Sequence, residues 1–232
     1  MSIRAICTAL LITTSTFCQN EWLSESQNTM RTTKQVFTTI LRNKETTMVD
    51  YRKATDAVAS ILACEAMEYI DHQSITIQTP LAPISGLQQK HSVVLLPVLR
   101  SGLTLLPAFL KYFENARVGF VGLARDEETA QAHWYYEKFP ALTGDEYVII
   151  LEPMLATGGT GIEVLTKLEK QGIKQERIIF VSVVSAPEGL EKIYARFPNV
   201  KIITVSVDSH LNERKFIVPG LGDFGDRYFG TE

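Results

Sequence analysis

Hydrophobic positions along the chain change their spacing several times, and each change predicts an element. From Thr32 to Arg42, and again from Val49 to Ile70, they recur every three or four residues. Ala54, Ala57, Val58, Ile61 and Leu62 form one apolar face, so both stretches are predicted helical, with Asp50 as N-cap of the second. Gln73 to Gln89 alternates at Ile75 and Ile77, then carries Pro80, Pro83 and Gly86, which predicts an edge strand and a loop. From Val93 onward the pattern becomes continuous. Val93–Val98, Val118–Leu123, Tyr147–Leu151, Arg177–Val184 and Val200–Val205 are short apolar runs, as expected of strands buried on both faces. Helical spacing returns between them at Leu103–Phe113, at Ile162, Leu165 and Leu168, and at Pro187–Ala195. This alternation predicts one α/β domain with a parallel sheet flanked by helices, the two chain ends forming a small accessory layer or hood.

Composition narrows the class. The 232 residues are 45% hydrophobic and 21% charged, a globular balance. Lys+Arg number 23 against 26 Asp+Glu, a formal charge of -3, which argues against holding nucleic acid by bulk electrostatics. No apolar run approaches the ~20 residues that span a bilayer, so no membrane partner is expected. Cys7, Cys18 and Cys64 cannot close a disulfide framework and have no zinc-ligand spacing, which fits a reducing, cytoplasmic setting. Residues 1–29 stand apart, with Arg4, an apolar stretch from Ala5 to Ile12 and no acidic residue before Glu21. They read as an upstream extension before Met30, or as a weak secretory or organellar targeting segment; residues 30–232 are the domain.

Ligands of such sheets sit beyond the carboxyl ends of the strands. There the strand ending at Leu151 leads through Glu152 into Ala156-Thr157-Gly158-Gly159-Thr160, which opens a helix. Glycines let successive N–H groups share one concavity, the helix start favours an anion, and the threonines add hydroxyl donors. Glu152 can accept from sugar hydroxyls or meet a hydrated cation. Together these features describe a ribose-phosphate cradle, against the plainer reading of a tight connection. A Walker loop needs Gly-Lys-Ser/Thr here, and the dinucleotide fingerprint needs Gly-x-Gly-x-x-Gly after the first strand; neither fits. Arg100 and Arg125 each end a strand and suit bidentate contact with phosphate oxygens, where a lone arginine would ordinarily form a surface ion pair. Phe216 to Arg227 holds Pro219, Gly220, Gly222 and Gly225, which disfavours regular structure and exposes backbone groups able to read a planar base. Phe224 offers a ring for packing. A glycine-rich turn docking the tail is the alternative.

Glu152-Pro-Met-Leu-Ala-Thr-Gly-Gly-Thr160, Ser185-Ala-Pro-Glu-Gly189 and Ile217-Val-Pro-Gly-Leu-Gly-Asp-Phe-Gly-Asp-Arg227 resemble uracil phosphoribosyltransferase. So do Pro97-Val-Leu-Arg-Ser-Gly102 and Arg125-Asp-Glu-Glu-Thr129, and the resemblance runs from about residue 32 to 232. It implies the type I phosphoribosyltransferase fold and transfer of a phosphoribosyl group from phosphoribosyl pyrophosphate (PRPP) to uracil with Mg²⁺, giving UMP and pyrophosphate in pyrimidine salvage. By motif match, Ala156 and the Thr157–Thr160 loop would hold the 5-phosphate, with Glu152 near the ribose hydroxyls. Arg100 with the Ser101-Gly102 amides would hold pyrophosphate. Arg125, from a lid running to Tyr136, and Asp223 would be catalytic and also meet PRPP. Ile217, Gly222, Asp223 and Phe224 would present backbone groups to uracil. The metal would be carried mainly by PRPP, without a protein cage. A homo-oligomer, dimer or tetramer, and GTP as candidate allosteric effector also follow. Glu152 replaces the family's usual Asp, Ala124 stands where a larger residue is common, and Ser101 replaces a frequent Ala. The competing readings are a catalytically weak PRPP-binding regulatory protein and a transferase for another base.

Overall fold

The computed structural model describes residues 31–125 and 132–231; the 1–29 extension, the centre of the expected lid and the Arg125 side chain lie outside them. Helix α1 covers residues 31–42 and is followed by α2 (Met48–Met67). Strands β1 (His72–Gln78) and β2 (Pro83–Gln89) form a separate antiparallel hairpin. Next come β3 (Val93–Leu99), a 3₁₀ turn at Ser101–Thr104, α3 (Leu106–Tyr112), β4 (Arg117–Val118), β5 (Phe120–Arg125) and β6 (Ala132–Lys138). The chain continues through β7 (Tyr147–Leu151), β8 (Met154–Leu155), α4 (Gly159–Lys170), β9 (Ile178–Ser185), α5 (Pro187–Arg196) and β10 (Lys201–Val207). It ends in β11 (His210–Leu211), β12 (Ile217–Val218) and α6 (Phe224–Phe229).

The main sheet has the order β10-β9-β7-β3-β5-β6, parallel except for β6, which runs antiparallel to β5. Strand β3 sends its successor β5 to one side, while β7, β9 and β10 build outward on the other. The crevice at the carboxyl ends of β3 and β7 is therefore the topological switch point, where open α/β sheets bind ligands.

Alternation along the central strands feeds two cores. Leu95, Ile149 and Val181 face a layer with Val58 and Leu62 of α2 and Phe109 of α3. Leu96, Ile150 and Phe180 face Leu165 and Leu168 of α4 and Ile193 of α5. Strands covered on both faces carry no polar alternation, which is why they read as unbroken apolar runs. Among the described residues no helix is long and apolar enough to cross a membrane.

Several expectations need correction. Thr47, not Asp50, caps α2: its hydroxyl oxygen accepts the Asp50 N–H at 3.2 Å and its hydroxyl donates to Asp50 at 2.9 Å. Such a cap contributes about 1 kcal/mol. Residues 73–89 are two paired strands rather than one strand and a loop. The strand expected at 118–123 is split, because β3 pairs with β4 through Leu95 and with β5 only from Val98. Pro97, which has no N–H to give, lies in that gap. The helix expected from Leu103 begins as the 3₁₀ turn, and the glycine-rich C-terminal block contains both β12 and α6.

The chain ends do form an accessory layer. Arg227 donates to the carbonyls of Leu41, Leu221 and Asn43, and its guanidinium lies 4.5 Å from the Tyr51 ring centroid.

Candidate active site

Beyond β7 the chain turns at Glu152, adds β8 beside β9, and enters α4 through Gly158. Gly158 has φ 74°, in the left-handed region where glycine carries no Cβ penalty. The first intrahelical bond joins Ile162 N–H to the Gly158 carbonyl at 2.9 Å, which leaves the amides before it without helical acceptors. The Thr157 hydroxyl oxygen takes the Gly159 N–H at a long 3.4 Å. These are the donors expected of an anion cradle. Its back wall was not foreseen from residue chemistry. A Cβ on Gly189, in the first turn of α5, would lie 2.4 Å from the Ala156 carbonyl oxygen. A glycine inside a helix, where propensity disfavours it, was the available signal.

The exit of β3 forms the adjoining wall. Arg100 is half-exposed and its Nη2 lies 3.0 Å from Oδ1 of Asp226 in α6. The Thr231 hydroxyl and then Arg100 hold the Asp226 carboxyl below the usual range. Gly102 is pressed against the end of β7, and Gly225 lies against Ser101, so the strand exit and the C-terminal block meet.

Asp223 is exposed and caps α6, accepting the Asp226 N–H at 2.9 Å. The Phe224 ring is buried edge-on against Tyr51, with centroids 5.3 Å apart, so this residue offers the crevice only its backbone. Ile217 is also buried, and it pairs with Leu211 across the short β11–β12 ribbon.

Glu152 retains some residue exposure, but its Oε2 atom is shielded and has no hydrogen-bond partner among the described residues. Burial pushes its carboxyl up to about 8. A carboxyl kept neutral by desolvation is poised to ionise when a cation or hydroxyl donors arrive.

Arg125 closes β5 opposite Ala132, so the backbone carries it to the crevice edge. In the partner strand Trp134 is partly buried with Lys167 Nζ 5.7 Å from its ring, while Tyr135 and Tyr136 are exposed.

The model for uracil phosphoribosyltransferase matches residues 29–231. The chain belongs to this family. The Campylobacter concisus uracil phosphoribosyltransferase is 39% identical over 193 residues, covering 83% of this chain and 92% of the relative. The Mycoplasma genitalium uracil phosphoribosyltransferase is 38% identical, covering 84% and 93%. A solved structure of an Aquifex aeolicus protein is 34% identical with a TM-score of 0.78, covering 86% of this chain and 95% of that one. Uracil phosphoribosyltransferases are glycosyl-transferring enzymes, and the parallel sheet with its strand-end loops is the phosphoribosyltransferase architecture. Of the expected site residues, Arg100 and the Asp223–Asp226 turn meet directly, and Glu152 and the Ala156–Thr160 loop follow the adjoining strand. The side chains of Ile217 and Phe224 are buried in the core rather than exposed.

Proposed function

We propose that the chain transfers the phosphoribosyl group of PRPP to uracil, forming UMP and releasing pyrophosphate, as a step of pyrimidine salvage. What carries the reading is the convergence of three family motifs on one switch-point crevice: the Arg100–Gly102 turn, the Glu152–Thr160 loop and the Ile217–Arg227 block. In the reaction the bond from the anomeric carbon to pyrophosphate breaks, a bond to the uracil N1 forms, and N1 loses its proton.

The protein's task is to orient the reactants, neutralise the leaving group and exclude water. In this reading Ala156 and Thr157–Thr160 bind the 5-phosphate and Glu152 the ribose hydroxyls. Arg100 exchanges Asp226 for pyrophosphate, and Arg125 and Asp223 meet the donor. Backbone groups of Ile217 and Gly222–Phe224 hold uracil, and the β5–β6 hairpin closes over both substrates.

Magnesium fits as an ion carried by the donor. Among the described residues no cluster of three His, Cys, Asp or Glu side chains could hold a metal, whereas the shielded, unpartnered Glu152 Oε2 can meet one edge of a hydrated cation. Bound there, magnesium would supply charge neutralisation at pyrophosphate. Residues 30–232 would act as one catalytic domain in the cytoplasm, as a homo-oligomer, with GTP as candidate effector.

The test is to mix the protein with magnesium, PRPP and labelled uracil and look for UMP, with cytosine, hypoxanthine and orotate as controls. PRPP binding without UMP would assign the regulatory reading instead.

A further inference from the structure

Gly220 lies in the turn that follows the cis Val218–Pro219 bond and precedes Gly222–Phe224. The turn is tight: Gly220 has φ 62°, and a Cβ there would stand 2.2 Å from the Ile217 carbonyl oxygen. Both polar backbone groups of Gly220 are held by side chains from elsewhere. Its N–H donates to Asp208 Oδ2 at 2.8 Å, and its carbonyl accepts from Arg42 Nη1 at 2.7 Å.

Those two side chains also grip each other. Arg42 Nη1 lies 2.7 Å from Asp208 Oδ2, Arg42 Nη2 donates to Asp208 Oδ1, and Ser206 joins Arg42 Nη2 at 3.1 Å and Asp208 Oδ1 at 3.0 Å. The Asp208 side chain is 2% exposed. Burial alone would raise its carboxyl, but the bonds from Arg42, Gly220 and Ser206 outweigh burial and hold it below the usual range. A forked pair with a buried carboxylate, closed on one peptide, fixes position more than a lone ion pair does.

We propose that Arg42 and Asp208 are positioning residues for the base, setting the Gly220 peptide and through it the backbone groups of Ile217 and Gly222–Phe224. The inference rests on the reading that those groups bind uracil. It also predicts selectivity. The clamp side chains touch the base loop and Ser206, while the direct link from Asp208 to the end of β9 is its backbone N–H, donated to the Ser185 carbonyl at 2.8 Å. That backbone link survives any change of side chain.

The experiment measures KM for uracil and for PRPP, with kcat, in Arg42→Ala, Arg42→Lys, Asp208→Asn and Ser206→Ala. Loss of a charge-assisted bond in Arg42→Ala and Asp208→Asn should raise the uracil KM about tenfold or more, with a clearly smaller rise in the KM for PRPP, which Asp223 alone of this segment meets. Arg42→Lys keeps the charge without the fork and should raise it about threefold. Ser206→Ala should raise it about twofold. If Arg42→Ala fails to fold, the lysine and serine variants carry the test. Folded variants with unchanged uracil KM, or with both KM values raised together, overturn the clamp. A parent protein that forms no UMP overturns the reading beneath it, so the two failures are distinguishable.

Discussion

Gly102 and Leu151 approach more closely than any side chain would allow: a Cβ on Gly102 would stand 2.2 Å from the Leu151 carbonyl oxygen, with Pro97 backbone atoms at 3.1 Å on its other side. The contact locks the exit of β3, which carries Arg100 and Ser101, to the exit of β7, which leads into Glu152. Gly102→Ala must push backbone away from backbone. We expect a stability loss of about 1–3 kcal/mol by urea unfolding. The PRPP KM should rise at least about tenfold, with a smaller change for uracil.

Tyr51 packs between the Phe224 ring, 5.3 Å away, and the Arg227 guanidinium, 4.5 Å away. Among the described residues its hydroxyl is buried without a hydrogen-bond partner, and burial, opposed by Arg227 and reinforced by Asp223, pushes the phenol up. Tyr51→Phe keeps the ring and removes an unsatisfied group. Urea denaturation should therefore show unchanged stability or a gain of up to about 1 kcal/mol, with UMP formation retained. A loss of about 1 kcal/mol or more would mean the hydroxyl has a partner.

The sheet and the glycine-opened start of α4 were legible because their signals are local. Strands covered on both faces leave unbroken apolar runs, and Gly158-Gly159 opens the helix that follows one of them after a short connection. The β1–β2 hairpin was half-missed because its strands are exposed on both faces except near Ile75 and Gly86, so no buried stripe marks the second strand. Helix α6 hid behind its glycines, although Asp223 three residues before Asp226 is a capping signature. The Arg42–Asp208 clamp joins residues 166 apart and leaves no trace in local spacing. Gly189 likewise acquires meaning only from the Ala156 carbonyl packed against it.

Arg125 ends β5, three residues beyond Gly122, which pairs with Leu99 at the end of β3. As pyrophosphate leaves, negative charge grows on its oxygens, whereas uracil binding needs no cation at that place. Arg125→Ala should therefore lower single-turnover UMP formation about a hundredfold or more, while uracil affinity by equilibrium binding changes less than about threefold. Equal losses in both would remove Arg125 from the leaving-group role.

Burial of Glu152 raises its carboxyl from an ordinary 4.5 to about 8 in the folded protein. Below the unfolded value both states hold the proton, and the contribution to stability is fully present. As pH climbs from about 4.5 toward 8 the unfolded chain ionises while the folded one keeps its proton, so stability falls across that window and levels off above it. Glu152→Gln removes this slope. By urea unfolding the glutamine variant should be more stable than the parent at pH 8, with the difference closing as pH falls below about 4.5. The same shift ties donor binding to proton release. Cationic magnesium and the ribose hydroxyls favour the ionised carboxylate, so binding PRPP with magnesium at pH 7 should expel a proton from Glu152. Calorimetry in two buffers of different ionisation enthalpy should give different heats for the parent and matching heats for Glu152→Gln. Donor affinity of the parent should accordingly weaken as pH drops below about 7, because each bound donor must then displace a more firmly held proton.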